Sequence, residues 1–260
     1  MSAFVLKIIA YSTMLIDHTA ASAVLGKPSL FWLGLGTLMG AQEHYELLRA
    51  IGRIAFPIFA FQLVEGVRHT KNKWKYLFRL ALLGVISEFP FDLALFGKWS
   101  DWNYQNVYFT LLLGFIAVVA IQWAGRLPGK KRIVGGLVAV VATAISATTA
   151  YVFCTDYDYK GVIFIAILGL LTLPEVERLT YPASVFVRTG ISAVAILTLA
   201  ILCIPLSGNM EFYGLFALIP IALYNGKKGY NKGIQMAAYA FYPVHLLILG
   251  LIFTLPVLIK

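Results

Sequence analysis

Charge is what this chain lacks. Only 13% of its residues are Asp, Glu, Lys or Arg while 60% are apolar, against about 25% charged in an ordinary soluble domain. The shortage excludes a soluble globular protein, and no hydrophilic stretch is long enough for a second domain, so residues 1–260 read as one unit. Cysteine is nearly absent as well. Cys154 and Cys203 allow at most one bridge, which excludes a disulfide framework, and no CxxC or Cys/His spacing suits zinc. There is no Walker loop, no GxSxG or HExxH, and no GxGxxG in a βαβ setting. Nor do apolar and polar residues alternate as they would in a barrel, so the continuous apolar runs imply helices.

Those runs fall at residues 4–25, 50–67, 79–97, 107–125, 133–153, 161–174, 185–206, 211–224 and 234–257. At about 20 residues per crossing they predict an all-α polytopic bundle of nine transmembrane helices. The sixth and eighth runs are short and need tilting or partial burial. Ala21-Ser22-Ala23 resembles a signal-cleavage site, but the run before it is too long for a signal and contains Asp17 and His18, so it reads as a retained first helix. Leu30–Gly36 is apolar yet too short to span, which suits a re-entrant or interfacial piece.

The formal charge of +9 would suit nucleic acid, but the cations sit in short loops between apolar runs and nucleic acid is not an expected partner. With nine spans, 15 of the 21 Lys and Arg fall on the side of loops 68–75, 126–132 and 225–232. The positive-inside rule makes that side cytoplasmic. The N-terminus is then cytoplasmic and the C-terminus outside.

Ionisable groups inside such spans cost about 2.5–3.5 kcal/mol each on insertion scales. Asp17, His18, Arg53, Glu88, Asp92 and His245 all fall between the middle of the bilayer and its outer leaflet. A shared depth predicts one cavity. Glu88 and Asp92 share a helical face and call for a cation, with Arg53 the only Arg at that depth. The alternative for that trio is a buried charge network that holds two helices together. Adjacent residues point about 100° apart on a helix, so Asp17 either orients His18 or serves Arg53. Glu65 is expected to pair with Arg68 or to face water. Arg68, Lys71, Lys73 and Lys75, with Asn225, Lys227 and Lys228, offer cations to a phosphate ligand or to anionic lipids.

Leu6-Lys7-Ile8-Ile9-Ala10 with Met14-Leu15-Ile16-Asp17-His18, Ile51-Gly52-Arg53-Ile54-Ala55-Phe56-Pro57, Val64-Glu65-Gly66 and Ile86-Ser87-Glu88-Phe89-Pro90-Phe91-Asp92 carry a resemblance. Gln105-Asn106-Val107, Leu223-Tyr224-Asn225-Gly226 and Phe241-Tyr242-Pro243-Val244-His245-Leu246 continue it. In this order the series resembles the TraX family, named for the F-pilin acetyltransferase, which is itself distantly similar to transmembrane acyltransferases. The resemblance implies transfer of an acetyl group from cytoplasmic acetyl-CoA to an amine or hydroxyl of a peptide, glycan or small molecule, without a metal or redox cofactor. It implies His18 as general base, with Asp17 or Glu88 orienting it and Arg53 or Asn106 stabilising negative charge. Gln105, Asn106 and Tyr242 would meet substrate, and the basic loops would hold coenzyme A. A proton- or cation-coupled transporter is the competing reading, because intramembrane acids and histidines also relay protons.

Overall fold

The computed structural model describes residues 1–26 and 41–259, which contain helices and turns but no β-strand. The Leu30–Gly36 piece lies outside the described residues. Helix α1 (Ala3–Gly26) is followed by α2 (Ala41–Gly52), α3 (Ala55–His69), α4 (Lys73–Phe96), α5 (Val107–Gly125), α6 (Lys131–Val152) and α7 (Asp158–Gly169). Then come a short α8 (Pro174–Glu177), α9 (Ala183–Ser207), a 3-10 segment (Met210–Ala217) and α10 (Leu218–Ala222). The chain finishes with α11 (Lys232–Leu249), a π-helical turn (Gly250–Thr254) and α12 (Leu255–Leu258).

Five stretches among the described residues are long and apolar enough to cross a membrane: Glu43–His69, Val107–Gly125, Lys131–Val152, Ala183–Ser207 and Gly233–Thr254. They fit a membrane protein. Helices α1 and α4 have 24 residues each, about 36 Å at 1.5 Å per residue, but their internal charges lower their apolar character. The other two expected spans are interrupted. Residues 161–174 hold most of the 12-residue α7 and a 3-10 turn, and 211–224 hold most of the 3-10 segment and the five-residue α10. Nine crossings therefore do not follow from helix length. The second span also starts earlier than residue 50, because α2 extends it back into what reads from sequence as a loop.

Local chemistry explains the boundaries. Asn72, Asn106 and Asn231 each stand just before a helix and accept a backbone N–H of its first turn, at 2.9, 3.0 and 3.0 Å, filling one of the orphan donors there. Helix α4 ends at Gly97, whose left-handed φ of 62° suits glycine. Between helices the contact is close. A Cβ at Gly114 on α5 would stand 2.5 Å from Ile165 of α7, the small-residue packing expected where lipid offers no hydrophobic drive between helices. The opposite face of α6 leaves Ile133, Val134, Leu137, Val140 and Val141 exposed, as a lipid-facing surface requires. Cys154 and Cys203 are both free thiols.

The bundle has two distinct ends. One is where α1 and α4 finish and α5 begins. At the other, the first residues of α1 meet the 225–228 loop, with Ala3 N–H on the Lys227 carbonyl and Asn225 N–H on that of Met1, both at 2.8 Å.

Candidate functional site

Pro57 sets the geometry of the first end. It lies in the opening turn of α3, has no N–H, and its ring would strike the Arg53 carbonyl in a continuous helix. The chain leaves the α-helix there: the N–H groups of Arg53 and Ile54 turn to the carbonyls of Ala50 and Ile51 at 3.2 and 3.3 Å. Arg53 reaches from this break toward both α1 and the 3-10 segment. Its guanidinium donates to Asp17 Oδ1 at 3.1 Å, Glu211 Oε1 at 2.8 Å and the Tyr157 hydroxyl at 3.3 Å. Arg49 donates to Asp17 Oδ2 at 2.8 Å. Gly52 permits the approach, since a Cβ there would overlap the Asp17 side chain.

Asp17 thus serves the arginines, and a different group orients His18. Its Nδ1 lies 2.8 Å from Nε2 of His245, with the two rings within 6° of coplanar. Nδ1 of His245 is 2.8 Å from the Phe241 carbonyl. A carbonyl only accepts, so His245 carries its proton on Nδ1, and in the neutral ring Nε2 is a lone pair. His18 Nδ1–H donates to that lone pair. The remaining nitrogen, His18 Nε2, keeps its own lone pair and has no partner among the described residues. The two facing nitrogens cannot both hold protons, so the pair carries at most one positive charge.

His18, Asp17, Arg49 and Arg53 line a cavity of about 440 Å³ with an aromatic wall of Phe56, Phe91, Phe96, Tyr104, Tyr157 and Tyr242. Tyr157 stacks on Phe56 with ring centres 4.1 Å apart. Asp156 completes the lining, its Oδ1 accepting from the Tyr104 hydroxyl at 2.9 Å. Burial pushes this loop carboxyl up to about 6, against the pull of Tyr104 and Arg53. The loop that carries it is contorted, with Cys154, Tyr157 and Asp158 at φ values of 49°, 64° and 40°. Non-glycine residues rarely adopt that region, and such strain gathers at functional sites.

Glu88 and Asp92 are not among the residues lining this cavity, and Arg53 is not their cation. Glu88 caps α5, accepting the backbone N–H of Asn106 at 3.3 Å and also its side-chain amide; a negative charge there suits the positive end of the helix. Asp92 lies one turn from the end of α4 and accepts the Asp101 N–H at 2.7 Å, tying down the following loop. Asn106 donates to the Gly84 carbonyl at 2.8 Å and to Glu88, so its amide has no hydrogen left for a substrate. Gln105 pins two loops together, its N–H on the Cys154 carbonyl at 3.0 Å and its carbonyl on Asp156 N–H at 2.8 Å. Of the expected site residues, Asp17, His18, Arg53, His245 and Tyr242 meet. Arg49, Asp156, Tyr157 and Glu211 join them without a sequence signal beyond their charge or ring.

A second cavity of about 500 Å³ lies at the other end of the bundle. Lys7, Arg79 and Lys228 line it with Tyr76, Tyr224, Tyr230 and Tyr239. No carboxylate pairs with these three cations among the described residues; Lys7 and Lys228 flank the Tyr230 ring at 5.5 and 4.7 Å. The other expected phosphate-binding residues are placed elsewhere. Arg68 bonds Glu65 at 2.5 Å and approaches Glu177 at 3.5 Å, as its pairing with Glu65 anticipates. Lys73 donates to the Val67 carbonyl at 3.0 Å and to Gln122. Asn225 accepts Lys227 N–H at 3.1 Å, while Lys71 and Lys75 stay on the exposed surface.

Between the cavities stands Tyr11, with ring centres 5.1 Å from Phe59 and 4.6 Å from Phe241 and its hydroxyl on the Ala238 carbonyl at 2.7 Å. On α1, Lys7 belongs to one cavity and Met14 to the other, so the partition is about two turns thick.

Fold and site together define a helical membrane protein with a histidine pair and an arginine–carboxylate network at one end of its bundle. A family model described as TraX protein matches residues 2–253, and the chain belongs to the TraX family. It is also 32% identical over 267 residues, covering 95% of this chain and 94% of the relative, to "Probable fimbrial assembly protein FimC, serogroup H1" of Dichelobacter nodosus. No solved structure matches significantly.

Proposed function

We propose that this protein is an acetyltransferase of the bacterial cytoplasmic membrane that acts in pilus or fimbrial assembly, moving an acetyl group from cytoplasmic acetyl-CoA to an amine or hydroxyl near the outer face. The observation that carries the reading is the lone pair on His18 Nε2, which has no partner among the described residues and is fixed by the bond from Nδ1 to His245, on a side chain that lines a cavity with a guanidinium. That is what deprotonating a nucleophile requires. As Nε2 takes the proton, the His18–His245 bond becomes charge-assisted and stronger. The Tyr157 hydroxyl accepts from Arg53, which leaves its own proton available to a developing oxyanion.

In this reading the cavity of Lys7, Arg79 and Lys228 holds the phosphates of the donor. The rise along α1 from Lys7 to His18 is about 16 Å, a distance that suits an acyl group carried on the long pantetheine arm. The cation-rich end then faces the cytoplasm, as it does in the nine-span topology with a cytoplasmic N-terminus. The relative's description as a probable fimbrial assembly protein and the family's association with pilin acetylation support a pilus-related acceptor.

Purified protein should release coenzyme A from acetyl-CoA when acceptor is present, and His18→Gln should abolish the release. Acetyl-CoA that neither binds nor turns over, together with solute uptake into vesicles driven by a pH gradient, would establish the transporter instead. Impermeant thiol reagents on intact Cys154→Ser cells should reach Lys98→Cys but not Lys130→Cys. The reverse pattern would invert the topology.

A further inference from the structure

Among the described residues, the charges around the His18 cavity do not balance. Asp17 is held by Arg49 at 2.8 Å and Arg53 at 3.1 Å, and Glu211 by Arg53 at 2.8 Å. Two guanidiniums are thereby matched to two carboxylates. Asp156 lines the same cavity and has no cationic partner among the described residues. Its side chain accepts from the neutral Tyr104 hydroxyl, at Oδ1 and 2.9 Å, and Oδ2 has no hydrogen-bond donor among the described residues. Arg53 and Arg49 pull on Asp156 only from beyond ion-pair distance, and a half-buried carboxylate without a close cation is costly. The chain nevertheless builds a contorted loop to put one here, clamped by Gln105 on both sides of Thr155 and by the Thr110 hydroxyl on the Asp156 carbonyl. The neighbouring carboxylate of that loop, Asp158, is matched by Lys160 at 2.5 Å, so the imbalance is specific to Asp156.

We propose that Asp156 is the specificity-determining residue of the acceptor side, recognising the positive charge of a primary ammonium while Tyr104 holds its carboxylate in place. The assignment rests on the acyltransferase reading and selects an amine over a hydroxyl. Aromatic faces around the carboxylate suit the same ligand, since Tyr and Phe rings attract cations. The balance of the step is simple. The acceptor arrives as R–NH3⁺ at Asp156 and gives its first proton to solvent. The free amine nitrogen attacks the thioester carbonyl carbon, forming the C–N bond, and its next proton goes to His18 Nε2. Collapse breaks the C–S bond, and His18 returns that proton to the thiolate. The products are an amide, a thiol and one released proton.

The test needs no turnover. Phenethylammonium and its neutral counterpart 2-phenylethanol are titrated into the full-length protein in detergent, with binding followed by calorimetry. Wild type should prefer the ammonium at least roughly tenfold, equivalent to about 1.4 kcal/mol. Asp156→Asn should erase the preference while leaving alcohol binding alone, and Asp156→Glu, which keeps the charge, should retain it. Asp101→Asn, in the Lys98-paired loop outside the cavity, should change nothing. A wild type that binds both probes equally overturns the assignment, whatever the variants do, and so does an Asp156→Asn protein that still prefers the ammonium. Coenzyme A release from acetyl-CoA is measured in parallel. A selective protein without release keeps the ammonium site and removes the acyltransferase reading, whereas release without selectivity does the opposite.

Discussion

Nδ1 of His18 and Nε2 of His245 face each other at 2.8 Å, although 227 positions separate the two residues in the chain. In the acyltransferase reading, this bond decides which nitrogen of His18 acts as the base. Removing a positioned base costs about 10² to 10⁴ in rate, so His18→Gln should insert and bind donor normally yet transfer almost nothing. His245→Gln can still accept from His18 through its amide oxygen and should keep part of the rate. His245→Leu cannot, and should approach the His18→Gln level. Single-turnover acetyl transfer separates the three, and equal rates for the two His245 variants would leave that residue a packing role.

Gly52 is the second lever on the same site. A methyl group there displaces Asp17 from Arg49 and Arg53, leaving buried charges short of a partner, and breaking such a pair costs about 3–5 kcal/mol. Gly52→Ala should lower the thermal midpoint sharply and abolish activity. Gly136 on α6 has open space around its position, so Gly136→Ala should be neutral or stabilising by roughly 0.5–1 kcal/mol, the ordinary helical preference for alanine. Thermal unfolding in detergent compares them directly.

Helices and site were unequally legible in the sequence. Every apolar run falls mainly on helical residues, because lipid-compatible composition and helix capping are local signals. The depth argument also brought Asp17, His18, Arg53 and His245 together correctly. It failed for Glu88 and Asp92, since residues at one depth still point in different directions round a helix. Asn106 consumes Glu88, and Asp92 is close enough to the end of α4 to serve a loop. Glu211 and Asp156 stayed hidden for the opposite reason. Each lies near the edge of an apolar run, where an acid looks solvated, and only the folding of the 3-10 segment and the 153–157 loop turns them inward. The basic loops were only partly legible because positive-inside charge and ligand-binding charge look alike. Of the expected loop cations, Lys228 lines the tyrosine-rich cavity, where Lys7 and Arg79, both on helices, join it.

That distinction is measurable. Hydrogen bonds to charged groups contribute about 1.5–3 kcal/mol each, so replacing Lys7, Arg79 or Lys228 by Ala should raise the donor KM roughly tenfold or more while leaving kcat nearly unchanged. Lys71→Ala and Lys75→Ala, on the exposed surface, should leave the donor KM within about twofold, a surface charge being worth under about 1 kcal/mol. Steady-state kinetics at fixed ionic strength decides. The reverse ranking would return the donor to the loop and leave the tyrosine-lined cavity without its ligand.

Tyr11 stands where an acyl arm reaching from one cavity to the other would have to pass. Its hydroxyl contributes one hydrogen bond, to the Ala238 carbonyl at 2.7 Å, worth about 0.5–1.5 kcal/mol net. Its ring does more, closing the gap between Phe59 and Phe241. Tyr11→Phe keeps the ring and should change stability slightly and turnover little. Tyr11→Ala removes the partition, so water and donor should meet without acceptor. Hydrolysis of acetyl-CoA in the absence of acceptor should then rise well above the wild-type level, while coupled transfer falls. Lost transfer with no gain in hydrolysis would mean that the ring only supports packing between α1, α3 and α11, and that the donor reaches His18 by another route.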